Sequence, residues 1–387
     1  MVCADLVVVG AGLFGLTIAE QASRSGLRVV VLDRRSHLGG NSYSDVDPQT
    51  GIEVHRYGSH VFHTSNEQVW SYVNRFTSFS NYVHHVYTVH DGVVYPLPVT
   101  LGTINQFFRT AMGPVQAREL IRAQAAEMAG KQPENLVEEG ISLIGRPLYE
   151  AFFMNYTAKQ WQTAPDQLPA CVISRLPVRY TYDNRYFNDT HEGLPTGGYE
   201  KWFEAMIDHP RIDVRLGTDF FDESHELSNS HVVGQVPVVY TGPIDRYFGF
   251  NAGALSWRTL DFETEIIACE DFQGTAVMNY ADLDVGFTRI HEFRHFYPDR
   301  DQPHDATVIS REFSRFAKPG DEPYYPVRTR HDLDTLSAYN RAARREPDVF
   351  FAGRLGTYTY LDMDATISSA LTMMDEDILP LFQVPTR

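Results

Sequence analysis

The chain opens on an unbroken apolar run, DLVVVG, passes through LTIAEQASRSG with apolar residues at helical spacing, and continues into a second apolar run, LRVVVLD. The outer two read as buried strands and the middle one as the helix between them, the pattern of a β-α-β unit in a parallel sheet. Past residue 65, HTSNEQVWSYVNRFTSFSNYVHHVYTVHDGVVYPLP reads as a short helix followed by strands turning at Asp91-Gly92, a hairpin signal. Helical periodicity then takes over. PVQARELIRAQAAEMAG starts at Pro114, carries Ala117, Leu120, Ile121, Gln124 and Met128 at helical spacing, and stops at Gly130. NLVEEGISLIGRPLYEAFFMNYTAKQW opens with Asn135 and Glu138 in capping-box register and restarts at Pro147. Residues 255–316 alternate as strands in RTLDFETEIIA, GTAVMNY, TRIHEFRHF and ATVISREFSRF. Near the end, VFFAGRLGTYTYLD reads as a strand into a glycine-bearing loop, followed by the helix MDATISSALTMMDEDI.

The 387 residues are 43% hydrophobic, ample for two or three domains with sizeable cores. Lys and Arg total 33 against 50 Asp and Glu, a net charge of -17 that repels polyanions and argues against a nucleic-acid or membrane-surface protein. An anionic ligand therefore needs a local basic pocket. Cys3, Cys171 and Cys269 are too few and too scattered for a disulfide framework or a zinc site, so each is read as a small buried hydrophobe in a reducing, cytoplasmic compartment. No run reaches the roughly 18 apolar residues of a membrane span, and the N-terminus shows no signal-peptide pattern.

GAGLFG places Gly10, Gly12 and Gly15 in G-x-G-x-x-G spacing between the first strand and its helix, with Asp33 at the end of the second strand. Gly10 allows the tight turn, Gly12 lets the backbone approach a pyrophosphate, Gly15 lets helix pack on strand, and Asp33 can take ribose hydroxyls. Nicotinamide and flavin are both open at this point. The continuation DRRSHLGGN, with Arg34 and Arg35 beside the acid and then Gly39, Gly40 and Asn41, resembles the extended fingerprint of flavoproteins of the glutathione-reductase fold, which implies FAD. The cradle is read as Gly10, Gly12, Leu13, Phe14, Gly15, Asp33, Arg34, Gly40 and Asn41. The fold class expected is α/β: a discontinuous FAD-binding Rossmann-like domain (1–65, 195–250 and 340–387), a helical substrate domain (100–170) and an antiparallel sheet domain (76–98, 180–194 and 255–330).

CVISRLPVRYTYDNRYF sets Arg175, Arg179 and Arg185 among apolar and aromatic residues, with Pro177 blocking a long helix. Guanidinium groups so placed suit an ion pair between domains or a bound anion. Phe152 and Tyr156, four apart, share a helix face that suits core packing or stacking on a flat base. His60 and His63, in GSHVFHT, invite a metal pair, yet no third ligand cluster accompanies them and no metal is expected.

RLPVRYTYDNRYF, EAFFMNYTAKQWQ, TRIHEF, DEPYYP and GRLGTYTYLDM, with GSHVFHT, resemble the bacterial UDP-galactopyranose mutases over nearly the whole chain. These flavoenzymes interconvert the six- and five-membered ring forms of UDP-galactose, and Asp33 stands where Glu is common among them. The resemblance implies that Arg175 is the arginine of a mobile loop at about 168–182, that Arg289 is its partner across the diphosphate, and that His63 lies near the isoalloxazine, all three with a part in catalysis. It implies substrate contacts at Phe152, Tyr156, Thr157, Trp161, Tyr186, Asn279, Tyr325, Tyr360 and Asp362. Further cofactor contacts are implied at His60, Gly353, Arg354, Tyr360, Asp362 and Met363, where a helix start would aim its N-terminal dipole at the flavin. Arg179 receives no role.

The same resemblance implies a ring contraction with no net redox change, through attack of N5 of reduced FAD on the anomeric carbon. It further implies NAD(P)H or dithionite as possible reductants, UDP-galactose in both ring forms as the substrate, and a homodimer. Two other readings share parts of the pattern. An FAD oxidoreductase of the amine-oxidase or desaturase kind would consume oxygen, and a nucleotide-sugar binder without catalysis would hold UDP whatever the redox state of the flavin.

Overall fold

The computed structural model describes residues 4–173 and 177–382, so Cys3 and Arg175 lie outside the described residues. The first strand, Leu6–Val9, is central in a five-stranded sheet ordered Ile212–Leu216, Val29–Asp33, Leu6–Val9, Val238–Tyr240 and Val349–Phe351. Every neighbouring pair in it is parallel. The valine-rich central strands are buried on both faces, which is why they read as continuous apolar runs rather than alternating ones. Helix Leu13–Arg24 covers one face through Leu16, Ile18, Ala19 and Ala22, and helices Tyr199–Ile207 and Met363–Met373 pack beside it.

A second sheet has seven strands, in the order Tyr325–Pro326, Trp257–Ile267, Thr307–Phe316, Arg289–Glu292, Val277–Tyr280, Val86–His90 and Val93–Leu97. The expected turn joins the last two, with Asp91 and Gly92 both at positive φ (49° and 71°), as a two-residue type I′ hairpin requires. The sheet is not wholly antiparallel, because Val277–Tyr280 pairs parallel with Val86–His90. The whole helical region separates these two strands in sequence, so no tight turn dictates their relative direction. Residues 180–194 add no strand to this sheet. Within that segment His191–Gly193 pairs with Phe62–Thr64, and just before it Val178–Arg179 pairs with Val99–Thr100, so this stretch of chain straps other parts of the molecule together. Apolar alternation predicts extended backbone there but leaves the partner strand open.

The helices Leu101–Phe108, Pro114–Gln124, Leu136–Ile144 and Asn155–Trp161 form the intervening region, around buried Ile104, Ala117, Ile121, Ile141 and Leu148. Asn135 caps its helix, accepting from the Glu138 N–H at 3.0 Å, but Glu138 reaches back to the N–H of Glu134 at 2.8 Å, so the capping box is displaced by one residue. Gly145 ends that helix at φ 77°, and the chain restarts at Arg146 with Pro147 in the first turn. Glu150–Met154 is then a π turn, a local widening that recurs at functional sites. Cys171 is exposed and Cys269 half-buried, so neither is the core hydrophobe expected; both fall on surface connections. Among the described residues, no helix is long and apolar enough to cross a membrane.

Candidate active site

A cavity of about 720 Å³ runs from the C-terminal end of the parallel sheet to helix Asn155–Trp161 and the face of the seven-stranded sheet. Gly10, Gly12, Leu13, Asp33, Arg34, Gly40 and Asn41 line its first half. A Cβ on Gly10 would meet Thr241 Oγ1 at 2.0 Å, and one on Gly15 would meet the carbonyl oxygen of Gly10 at 2.0 Å, so both glycines are required by packing. Nothing of the protein lies within 4 Å of the position a Cβ on Gly12 would take. Gly12 starts helix Leu13–Arg24, which has no side-chain cap and no acid in its first turn, so its free N–H groups are available to a pyrophosphate. Asp33 accepts from the N–H groups of Ala11 and Arg35, each at 2.8 Å, which braces the glycine loop and leaves lone pairs for ribose hydroxyls. Arg35 donates to Asn41 Oδ1 at 2.9 Å, and Arg34 and Arg35 both bind Glu322, at 2.5 and 2.6 Å. These residues fit FAD. Phe14 and Gly15 are not on the cavity wall; they lie behind the loop, where helix meets strand.

Gly353, Arg354, Tyr360, Asp362 and Met363 also line the cavity. Arg354 donates to the carbonyl of Tyr324 and lies over the rings of Tyr360 and Tyr325, at 5.5 and 5.9 Å. Met363 begins helix Met363–Met373 with Asp362 at its N-cap, and Asp364 in the first turn already meets part of the positive end of the dipole.

In the second half Arg289 stands opposite Asn279 on one neighbouring strand and Glu312 on the other. Its guanidinium donates to the Tyr156 hydroxyl, and its Nε lies 3.4 Å from Glu312 Oε1. Glu312, 3% exposed, also accepts from Thr288 Oγ1 at 3.2 Å and pairs with His291 Nε2 at 3.1 Å. Burial pushes the Glu312 carboxyl up, but Arg289 and His291 outweigh it and hold it at about 2. Burial opposes the charge on Arg289, and Glu312 more than restores it. Burial pushes the Tyr156 phenol up to about 12 and raises Tyr325 and Tyr360 as well, so all three stay protonated donors.

Asn279 Oδ1, Gln160 Oε1, His291 Nδ1, Arg289 Nε and Arg354 Nε are buried without a hydrogen-bond partner, and all five residues line this cavity. Buried polar atoms are satisfied in the great majority of cases, so such a concentration marks a place for a polar ligand.

His63 lines the cavity with its Nδ1 2.8 Å from Asp189 Oδ2 and its ring stacked on Phe187 at 3.7 Å. His60 bonds the Gly58 carbonyl through Nδ1 at 2.9 Å, and burial draws its pKa down to about 4. His84, absent from the sequence reading, lies on the same wall, where burial and then Arg289 lower it to about 3. Neither His60 nor His63 belongs to the two clusters of potential ligands among the described residues, His90-Asp91-Asp282 and Asp271-Glu292-His295.

Thr157, Trp161, Tyr186, Asn279 and Tyr325, for which the resemblance implied substrate contacts, all line the cavity. Phe152 also lines the cavity, but it is 2% exposed and its ring packs against Tyr95 and Phe107 at 5.0 and 5.5 Å, so core packing describes it better than base stacking. Arg179 is used up within its own loop. It donates to the carbonyls of Asp183 (3.2 Å), Arg185 and Phe187 (3.3 Å) and to Asn188 Oδ1. Glu312, His291 and Gln160 are not singled out by the sequence: both alternating faces of ISREFSRF carry a charged residue, so the pattern does not show that Glu312 points inward.

Residues 151–360 match the family model described as UDP-galactopyranose mutase, and residues 8–76 match that of an NAD(P)-binding Rossmann-like domain. The chain is 43% identical over 391 residues to a probable UDP-galactopyranose mutase of Klebsiella pneumoniae, with 99% of each chain covered. It is 40% identical to a dTDP-fucopyranose mutase of Escherichia coli, over 95% of this chain and 96% of that one. In fold it is similar to a crystal structure of reduced UDP-galactopyranose mutase, with a TM-score of 0.73 at 16% identity over 98% of this chain and 96% of that one. On these matches, which cover both ends of the cavity, the chain belongs to the UDP-galactopyranose mutase family.

Proposed function

We propose that the protein interconverts UDP-galactopyranose and UDP-galactofuranose, an isomerisation with no net redox change. The observation that carries this reading is the continuity of one cavity from the glycine cradle to the Arg289, Glu312 and Tyr156 group, so that a dinucleotide and a second anionic ligand share one space. Bound FAD in its reduced form supplies a nucleophilic nitrogen for the anomeric carbon.

The chain supplies the rest. Gly10, Gly12, Asp33, Arg34, Gly40 and Asn41 hold the cofactor from one side, and His60, Gly353, Arg354, Asp362 and Met363 from the other. Arg289, kept charged by Glu312, meets the diphosphate, with Arg175 as the second guanidinium; forked, charge-assisted hydrogen bonds suit phosphate oxygens. Tyr186, Tyr325 and Tyr360 add phenolic donors without adding charge. Tyr156, Thr157 and Trp161 take the uridine. His63, oriented by Asp189, hydrogen-bonds at the reacting end. The reading includes the reduced flavin as the active form, NAD(P)H or dithionite as reductant, a homodimer and a cytoplasmic setting.

Protein reduced with dithionite and given UDP-galactofuranose should release UDP-galactopyranose on chromatography without oxygen uptake. Oxygen-coupled substrate oxidation would instead indicate an oxidoreductase, and UDP binding without product a silent binder. The dTDP-fucopyranose mutase relative makes dTDP-fucopyranose the comparison substrate.

A further inference from the structure

We infer that Lys159 is a positioning residue for nucleotide binding, its ammonium gathering the connection between the strands that carry Asn279 and Arg289 and fastening it to the helix that carries Tyr156. The inference rests on the nucleotide-sugar reading above. Lys159 Nζ lies 2.7 Å from the carbonyl oxygens of Tyr280 and Asp282, 3.0 Å from that of Val285 and 3.1 Å from that of Phe287. An ammonium has three protons, so four backbone acceptors fully occupy it. Burial draws the amine down to about 8, with Asp282 and Asp284 supporting the charge, so at neutral pH it is mostly the ammonium.

Three of the four carbonyls, of Asp282, Val285 and Phe287, belong to the connection between Val277–Tyr280 and Arg289–Glu292, and the fourth, of Tyr280, is that of the last strand residue before it. Residues 281–288 exceed the two to five residues of a regular hairpin loop, so turn geometry alone does not dictate their shape. A cation at their centre does: it converts four converging carbonyl dipoles from a repulsion into a single anchored loop. At the root of the connection Asn279 and Arg289 are direct partners across the ladder, and both reach the cavity. On helix Asn155–Trp161, Tyr156 meets Arg289 and Lys159, one turn further along, meets the connection. Helix and hairpin are thus pinned at two points, one in the cavity wall and one behind it. A loose second point would let Arg289 and Asn279 shift against Tyr156 and Trp161, and a misplacement of about 1 Å can cost on the order of a hundredfold.

The test is UDP affinity of the FAD-loaded protein by calorimetry. Lys159→Met should keep its flavin and weaken UDP binding about tenfold or more, and in Lys159→Ala added ethylammonium should recover several-fold of the lost affinity where ethanol does not. UDP affinity within twofold of the unmodified protein, in variants that keep flavin, overturns the inference even if their melting temperature falls, because that is what a merely stabilising lysine would do. Should neither variant fold, hydrogen exchange of the unmodified protein decides: UDP should slow exchange of the amides in 281–288, and unchanged exchange there overturns the inference. An unmodified protein that does not bind UDP overturns the functional reading and this one with it.

Discussion

Arg289 and Glu312 lie opposite one another on neighbouring antiparallel strands, and their side chains meet at 3.4 Å in the cavity wall. Thr288 and His291 also hold Glu312, so carboxylate and guanidinium are both in place before any ligand arrives. Arg289→Ala strands the buried Glu312 carboxylate and, on the proposed function, removes a contact to phosphate. It should lower kcat/KM by about 30-fold to several thousandfold, roughly 2–5 kcal/mol, with FAD content unchanged. Glu312→Gln keeps the shape and loosens the arginine, so its effect should be the smaller of the two. Steady-state kinetics alongside flavin absorbance measures both, and near-normal turnover in Arg289→Ala would remove that residue from the diphosphate site.

The glycines separate packing from ligand contact. Gly15→Ala places a methyl 2.0 Å from the Gly10 carbonyl and should compromise folding itself. Gly12→Ala meets no protein atom within 4 Å, so it should fold with an unchanged circular dichroism spectrum yet purify with little flavin. Full flavin content in Gly12→Ala would mean that the pyrophosphate does not pass over that residue.

Acid stability follows from the buried imidazoles. His60 and His84 are held from the ordinary 6.5 down to about 4 and about 3 chiefly by burial, and burial lowers His55 and His291 too. The unfolded chain takes up these protons below 6.5 while the folded one refuses them. Their contribution is therefore whole above that value and is lost as pH falls towards 4 and 3, at up to about 1.4 kcal/mol per pH unit for each histidine. His295, raised by Glu292 and Asp271 against its burial, adds stability that is already complete at pH 6.5 and is lost only as pH rises above that value, so it does not change the slope of this window. Glu312 adds a loss in the same direction over a lower window, from its ordinary 4.5 to about 2. Urea midpoints should fall steeply between pH 6.5 and 4, and a flat profile would mean that water reaches these rings.

The arginines of RLPVR should behave differently. The guanidinium of Arg179 is spent on backbone carbonyls and Asn188, so Arg179→Ala should lower the melting temperature by a few degrees and leave UDP affinity within a few-fold. Arg175→Ala should impair turnover about as severely as Arg289→Ala. Equal losses of affinity in the Arg175 and Arg179 variants would show that the wrong arginine had been assigned to the diphosphate.

What the chain revealed in sequence was what depends on near neighbours. The glycine loop, the Asp91-Gly92 hairpin and the Asn135 cap are local chemistry, and each is where it was expected. The group formed by His84, His291 and Glu312 depends on strand pairings between distant segments, which apolar alternation leaves open. The π turn at Glu150–Met154 escaped because four-residue periodicity tolerates one extra residue without a break in the pattern. Phe152 was ambiguous for a simpler reason, since an aromatic at helical spacing suits a core and a binding face equally well, and here the core takes nearly all of its ring.

The most direct test of the central claim counts products against electrons. Anaerobic protein is reduced once with a measured amount of dithionite, given UDP-galactofuranose in large excess, and both the UDP-galactopyranose formed and the final redox state of the flavin are determined. Isomerisation without net redox predicts many product molecules per pair of electrons, flavin still reduced at the end, and almost no product from the oxidised protein. One product per electron pair, or equal rates from oxidised and reduced protein, would contradict it.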